Sequence, residues 1–274
     1  MSSAALSMLL LAAVALLAVT ALLAQPWWIE RRRRRLRARP FPQAWRRILR
    51  QHVPFVARLP PELQLRLKGH IQVLVAEKPF IGCRGQLITE QVRVTIAAHA
   101  GLLLLGHPRP DYYPRLRQIL VYPDAFVVHQ ERPLGAGLVQ EQRHTLAGES
   151  WTQGQVILSW ADVLAGSADP ADGRNVALHE FAHQIDQDTG AADGRPWRPT
   201  SQMRRRWAMV MDQAFERLRS EPSALLDSYG ATDPAEFFAV VSEVFFERPH
   251  ELQVESPAVY EELSRLYGLN PVQW

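Results

Sequence analysis

From Met1 to Ile29 the chain carries no charged residue, and Leu9 to Ala24 is almost wholly Leu, Ala and Val. With its flanks this stretch reaches the roughly 20 apolar residues a helix needs to span a bilayer. Within lipid every backbone N–H and C=O must pair inside the segment, so a helix is the one form open to it. Pro26, Trp27 and Trp28 close the stretch with the rings found at membrane interfaces. Arg31 to Arg35 then follow without interruption, with Arg37 and Arg39 just beyond. A cleaved signal peptide has positive charge before a shorter apolar core, whereas here all the charge lies after it. The reading is an uncleaved, single-pass anchor. The arginines place the N-terminus outside and the body in the cytoplasm, at the inner membrane.

The charge is divided accordingly. Residues 1–50 hold ten arginines and one glutamate, net +9, while the whole chain is +3, so the remainder is net −6. The high isoelectric point belongs to the juxtamembrane segment, for which anionic lipid headgroups at Arg31–Arg35 are the simplest partner. Nothing marks a domain that binds nucleic acid directly. Cys83 stands alone, which excludes an intramolecular disulfide framework and fits a reducing compartment. The expected division is a membrane anchor over 1–28, a basic linker over 29–40 and one domain over 41–274.

Within that domain, helical spacing of apolar residues marks 43–50, 61–77 (Leu63, Leu67, Ile71, Leu74) and 87–105, with Thr89 as a cap. Between 118 and 160 the period turns to that of strands. Gln118–Tyr122, Phe126–Gln130 and Leu138–Thr145 are short runs parted by Pro and Gly, as in a small antiparallel sheet, and Gly154–Trp160 carries the clearest strand pattern. Further helices are expected from Asn175, over 201–218, from Asp233 to Phe245 or Phe246, and over 257–266. The fold class is α+β, mainly helical, with a small antiparallel sheet and one preceding membrane helix.

The chemistry centres on His179-Glu180-Phe181-Ala182-His183. Histidines four apart on a helix project from one face. They can share a zinc ion, and the intervening glutamate can reach a metal-activated water as general base. A catalytic site needs a third protein ligand and an open position. The spacing that would supply a third histidine finds Asp186 and Thr189 instead. The helix from Asp233 offers two carboxylates, Glu236 and Glu243, seven apart on one face and amid Phe237, Phe238 and Val240. Spacing does not choose between them, because Glu236 also suits a helix-capping role and Glu243 an ion pair.

Several stretches carry a family resemblance: FPQAWRRIL from Phe41, RLPPELQLRL from Arg58, RVTIAAHAGLLLL from Arg93 and ILVYP from Ile119. GESWTQGQVILSW from Gly148, DGRNVALHEFAHQID from Asp172 and YGATDPAEFFAVVSEVFF from Tyr229 extend it. Over about 41–247 the chain resembles the Mlc titration factor A family of zinc peptidases, distantly similar to the catalytic domain of anthrax lethal factor. The resemblance implies a zincin-like domain with one Zn2+ on His179, His183 and Glu236. It implies Glu180 as catalytic carboxylate, Tyr229 as the hydroxyl that steadies the oxyanion, and aminopeptidase-like cleavage of peptides. Glu243 and Asp186 become supports of the ligand histidines, and no other cofactor is expected. Strand 154–160 is expected to lie along the cleft and pair by its edge with an extended peptide.

The chain departs from the family at Asp233, where Asn is common, and in its anchor. The family's soluble members bind a cytoplasmic transcription regulator, the glucose-responsive repressor Mlc. A tethered protein that sequesters such a regulator with little turnover is therefore the alternative function. Glu180 and Tyr229 favour hydrolysis, since a binder needs no general base.

Overall fold

A computed structural model describes residues 3–133, 139–146, 148–151 and 154–274. The chain forms two compact units, residues 1–40 and 41–274. The first is a single helix, α1 (Ser3–Arg37), which continues through Pro26 and through the arginine run. Its 35 residues correspond to a length of about 52 Å, more than the hydrocarbon core requires. The span Leu11–Arg37 is long and apolar enough to cross a membrane, and none of its apolar stretch is buried. Leu11, Leu16, Leu17, Leu22 and Leu23 point outward all round. Such a helix has no solvent face. At its basic end Glu30 accepts from Arg37 at 2.6 Å, and the Arg31 guanidinium lies 5.1 Å over the Trp27 ring.

The second unit is mostly helical. It opens with α2 (Gln43–His52), α3 (Pro61–Glu77), β1 (Phe80–Gly82) and α4 (Glu90–Leu102). Strands β2 (Gln118–Tyr122), β3 (Phe126–Pro133), β4 (Val139–Leu146), β5 (Gly148–Trp151) and β6 (Gln155–Ser159) follow. The remaining helices are α5 (Trp160–Ala168), α6 (Val176–Asp186), α7 (Ser201–Ser220), α8 (Pro234–Glu247), α9 (Pro249–Glu255) and α10 (Pro257–Tyr267). Thr89 caps α4 as expected, its hydroxyl accepting from Val92 N at 3.3 Å. Leu138 of the expected third strand lies outside the described residues.

The sheet corrects the sequence reading. Its order is β1-β2-β6-β5, and β1, β2 and β6 run parallel, with Ile119 opposite both Phe80 and Val156. Among the described residues, antiparallel pairing is confined to β5 at the edge and to the separate β3–β4 hairpin. The physical reason is connectivity. Helix α4 lies between β1 and β2 and returns the chain to the same end of the sheet, as a parallel crossover requires. Strand β6 shows the matching signature, since Val156, Ile157 and Leu158 are all buried rather than alternating. A second correction follows: β6 is paired on both sides and has no free edge, so a peptide added on that side would meet β5. Trp160 opens α5 instead of ending the strand.

Helix α6 lies between strands β5 and β6 on one side and α8 on the other, and α8 packs in turn against α7, α9 and α10. Every α8 residue from Phe237 to Glu247 is buried. Phe238 packs on Trp207 of α7 and Phe245 on Tyr267 of α10, with ring centroids 5.7 and 5.6 Å apart. On the other side of the domain, His99 of α4 is fully buried. Its Nδ1–H donates to Thr95 O at 2.9 Å, and its Nε2 faces Ser167 Oγ at 3.2 Å. Burial lowers its pKa to about 4, against a smaller upward pull from the Thr95 bond. The unfolded chain therefore binds this proton near pH 6.5 while the fold refuses it. The stability His99 supports is present above pH 6.5 and is lost as pH falls towards 4, by up to about 3 kcal/mol. Melting temperatures measured from pH 7 to 4.5 should fall more steeply for the wild type than for His99→Gln. Parallel curves would refute this.

Candidate metal centre

Helix α6 is set by its cap and its core face. Asn175 Oδ1 accepts from Leu178 N at 3.1 Å, while Ala177, Leu178, Phe181 and Ala182 are buried. Phe181 lies against Tyr113, centroids 5.0 Å apart. With that face committed to the core, His179 and His183 are turned towards α8. Helix α8 starts at Asp233, whose Oδ1 accepts from Ala235 N at 2.9 Å and Glu236 N at 3.0 Å. The cap needs no help from the Glu236 side chain, which is left to meet the histidines.

The three expected ligands converge. Glu236 Oε2 lies 2.9 Å from His179 Nε2 and 3.4 Å from His183 Nε2. The two Nε2 atoms are 3.2 Å apart, and one donor atom from each residue falls within 4.8 Å of the others. Glu243 takes a different place: its Oε1 accepts from His179 Nδ1 at 2.8 Å. That bond makes Nδ1 a donor, fixes the ring and aims Nε2 at Glu236. Burial opposes charge on both groups, but the mutual hydrogen bonds prevail. They hold the Glu236 carboxyl well below the usual range and raise the His179 imidazole well above it. Two ring nitrogens at such a distance cannot both carry protons towards one another. A divalent transition metal fits this set of two imidazole nitrogens and one carboxylate oxygen, replacing the crowded protons with one ion.

The other expected residues are placed as follows. Glu180 is buried beside the pair, close enough for its charge to act on both His179 and Tyr229. Tyr229 sits on the 3-10 turn Ser228–Ala231, half exposed, its ring centroid 6.0 Å from that of His179. Burial first, then the carboxylates of Glu236 and Glu180, raise its pKa, so its hydroxyl keeps its proton. Asp186 holds a loop: its Oδ2 accepts from Gly194 N at 2.6 Å. Burial pushes its pKa up to about 6, with His183 pulling the other way.

Sequence reading overlooked three participants. Gly194 has φ +73° and packs so closely on α8 that a Cβ there would lie 2.3 Å from Pro234 O. Its carbonyl also accepts from Trp207 Nε1 at 2.8 Å. It ties the segment after α6 to the start of α8, a role that Asp-Gly in a turn does not reveal. Glu247 and the side-chain amide of Asn175 are the other two. The spacing of Glu247, four after Glu243, was the signal available for it.

A helix pair with two histidines and a glutamate placed to hold a metal, α6 of which lies against a small parallel sheet, suits a metallopeptidase-like fold. Residues 27–268 match the family described as glucose-regulated metallo-peptidase M90, and the chain belongs to that family. It is 40% identical over 252 residues to an uncharacterized protein of Synechocystis sp., covering 90% of this chain and 91% of that one. Mlc titration factor A of Klebsiella pneumoniae is 32% identical over 230 residues, 81% of this chain and 84% of that protein. Mlc titration factor A of Serratia proteamaculans is 34% identical over 229 residues, 80% and 85% respectively.

The geometry separates the two carboxylates by experiment. Glu236→Gln should abolish metal uptake measured by mass spectrometry. Glu243→Gln should retain the metal with about 10- to 100-fold weaker affinity, the usual cost of losing a ligand's hydrogen-bond partner. Normal metal content in Glu236→Gln would move the third ligand to Glu243.

Proposed function

We propose that the chain is a zinc-dependent metallopeptidase of aminopeptidase type, tethered by α1 to the cytoplasmic face of the inner membrane. The observation that carries this is the convergence of His179 Nε2, His183 Nε2 and Glu236 Oε2 within 4.8 Å, with the Glu180 carboxylate buried beside them. His179, His183 and Glu236 would hold one zinc ion. Bound there, it would supply Lewis acidity towards a peptide carbonyl and a water that ionises near neutral pH.

The chain's own groups account for the rest of the reaction. The Glu180 carboxylate takes a proton from the attacking water and delivers it to the leaving amine nitrogen. The Tyr229 hydroxyl, kept protonated, donates a hydrogen bond to the carbonyl oxygen as negative charge grows there. Glu243 holds the His179 ring in one tautomer and one orientation. Arg31–Arg35 lie against anionic headgroups and keep the domain at the membrane surface.

Glu180→Gln should keep its zinc and lose hydrolysis of unblocked peptides by at least about 100-fold. Undiminished turnover in that variant would sink the mechanism. For the tether, a fluorescent protein fused after Trp274 should be bright and membrane-bound, and an alkaline phosphatase fused there inactive. The reverse pattern would place the domain outside.

The name of the Klebsiella and Serratia relatives supports a second reading. In it the domain sequesters a cytoplasmic transcription regulator at the membrane, with little turnover. That reading expects a DNA-binding protein to be recovered equally with wild type and Glu180→Gln.

A further inference from the structure

Helix α8 carries three largely buried glutamates at 236, 243 and 247. Spacings of seven and four put them on one face of a helix at successive heights. Each meets α6 or its lead-in at its own level. Glu236 reaches the facing Nε2 atoms of His179 and His183. Glu243 joins His179 Nδ1 through Oε1 and accepts from the backbone N–H of Asn175 through Oε2. Glu247 accepts from Asn175 Nδ2 at 2.9 Å and from Gly173 N at 3.1 Å.

Asn175 is where these contacts meet the histidine. Its side-chain oxygen caps α6, and its amide donates to Glu247 and to Gly166 O at 3.2 Å. Its backbone carbonyl accepts from His179 N at 2.9 Å. A displacement of Asn175 therefore moves the turn that carries His179. Glu247 is the one side chain of α8 that holds the Asn175 amide.

Packing alone does not call for a carboxylate at this position. Glu247 is 6% exposed, and Glu243 and Asp172 stand nearby. Burial, reinforced by those two acids, pushes its pKa up to about 8 despite the Asn175 bond. An apolar side chain would fill the space without that cost.

We propose that Glu247 is a positioning residue of the metal centre, which through Asn175 sets the height of the first turn of α6 along α8 and so the direction of the His179 Nε2 lone pair. The inference rests on the metal-centre reading above and extends it by one step outward from Glu243.

The test uses the full chain in detergent micelles, with zinc affinity read by chelator competition and ligand geometry by the visible bands of the Co2+ form. Glu247→Ala should weaken zinc binding about tenfold, the lower end for outer partners of a ligand, and shift the Co2+ bands. Glu247→Gln, which keeps one acceptor oxygen, should restore most of both. Asn175→Ser keeps a capping hydroxyl and the backbone link to Glu243 but loses the amide. It should reproduce the defect of Glu247→Ala and carries the test if that variant does not fold. Leu252→Ala, a cavity in neighbouring α9, should lower the melting temperature and leave affinity and bands unchanged. Wild-type affinity in Glu247→Ala or Asn175→Ser overturns the proposal, as does equal metal loss in Leu252→Ala. Wild-type protein that takes up neither metal overturns the metal-centre reading and this inference together. Metal binding unaffected by Glu247→Ala removes only the role of Glu247.

Discussion

The docking of α6 onto α8 through buried carboxylates and imidazoles is the contact on which the rest of the domain depends. Its polar groups are costly to bury singly, because a charge out of water without a partner costs several kcal/mol. Here each has one. Glu236 faces two ring nitrogens, Glu243 a ring N–H and a backbone N–H, and Glu247 an amide and a backbone N–H. The arrangement also explains why α8 is buried along nearly its whole length. One face presents acids to α6, and the others present Phe237, Phe238, Val241 and Phe245 to the helices around it.

That seam divides the labour of the site. The apolar face of α6 fixes its rotation, so both histidines point at α8. The caps at Asn175 and Asp233 fix where each helix begins, and Gly194 fixes how closely the chain after α6 approaches the start of α8. Tyr229 comes from a turn outside this seam and stays half exposed. The three candidate ligands stand on helices, and Tyr229 stands on a turn.

The N-terminal unit obeys different physics. Its described apolar stretch from Leu11 to Leu23 is outward on every side, without the polar face of a helix that packs on a core. The arginines continue the same helix for another two turns without a break. Charge in the chain is thus segregated, with the positive excess in residues 1–50 and the negative excess in the remainder.

Much of this was legible from residue order, because the signals are local. Twenty-nine uncharged residues admit one backbone form in lipid. H-E-x-x-H places two imidazoles on one face whatever surrounds it, and Asn175, Thr89 and Asp233 mark their helix starts through contacts three residues long or fewer. Strand direction was not legible, because it depends on where the chain goes between strands. The antiparallel expectation failed once α4 carried the chain back to the same end of the sheet. The free edge expected of β6 failed because β5 covers it. Nor could spacing decide between Glu236 and Glu243, since both lie on one face of α8. Their roles are set by height along the neighbouring helix, which is a property of two elements and not of one. The sequence alone determined which groups the site has. Tertiary packing decided which nitrogen each carboxylate meets, because only docked helices have a register.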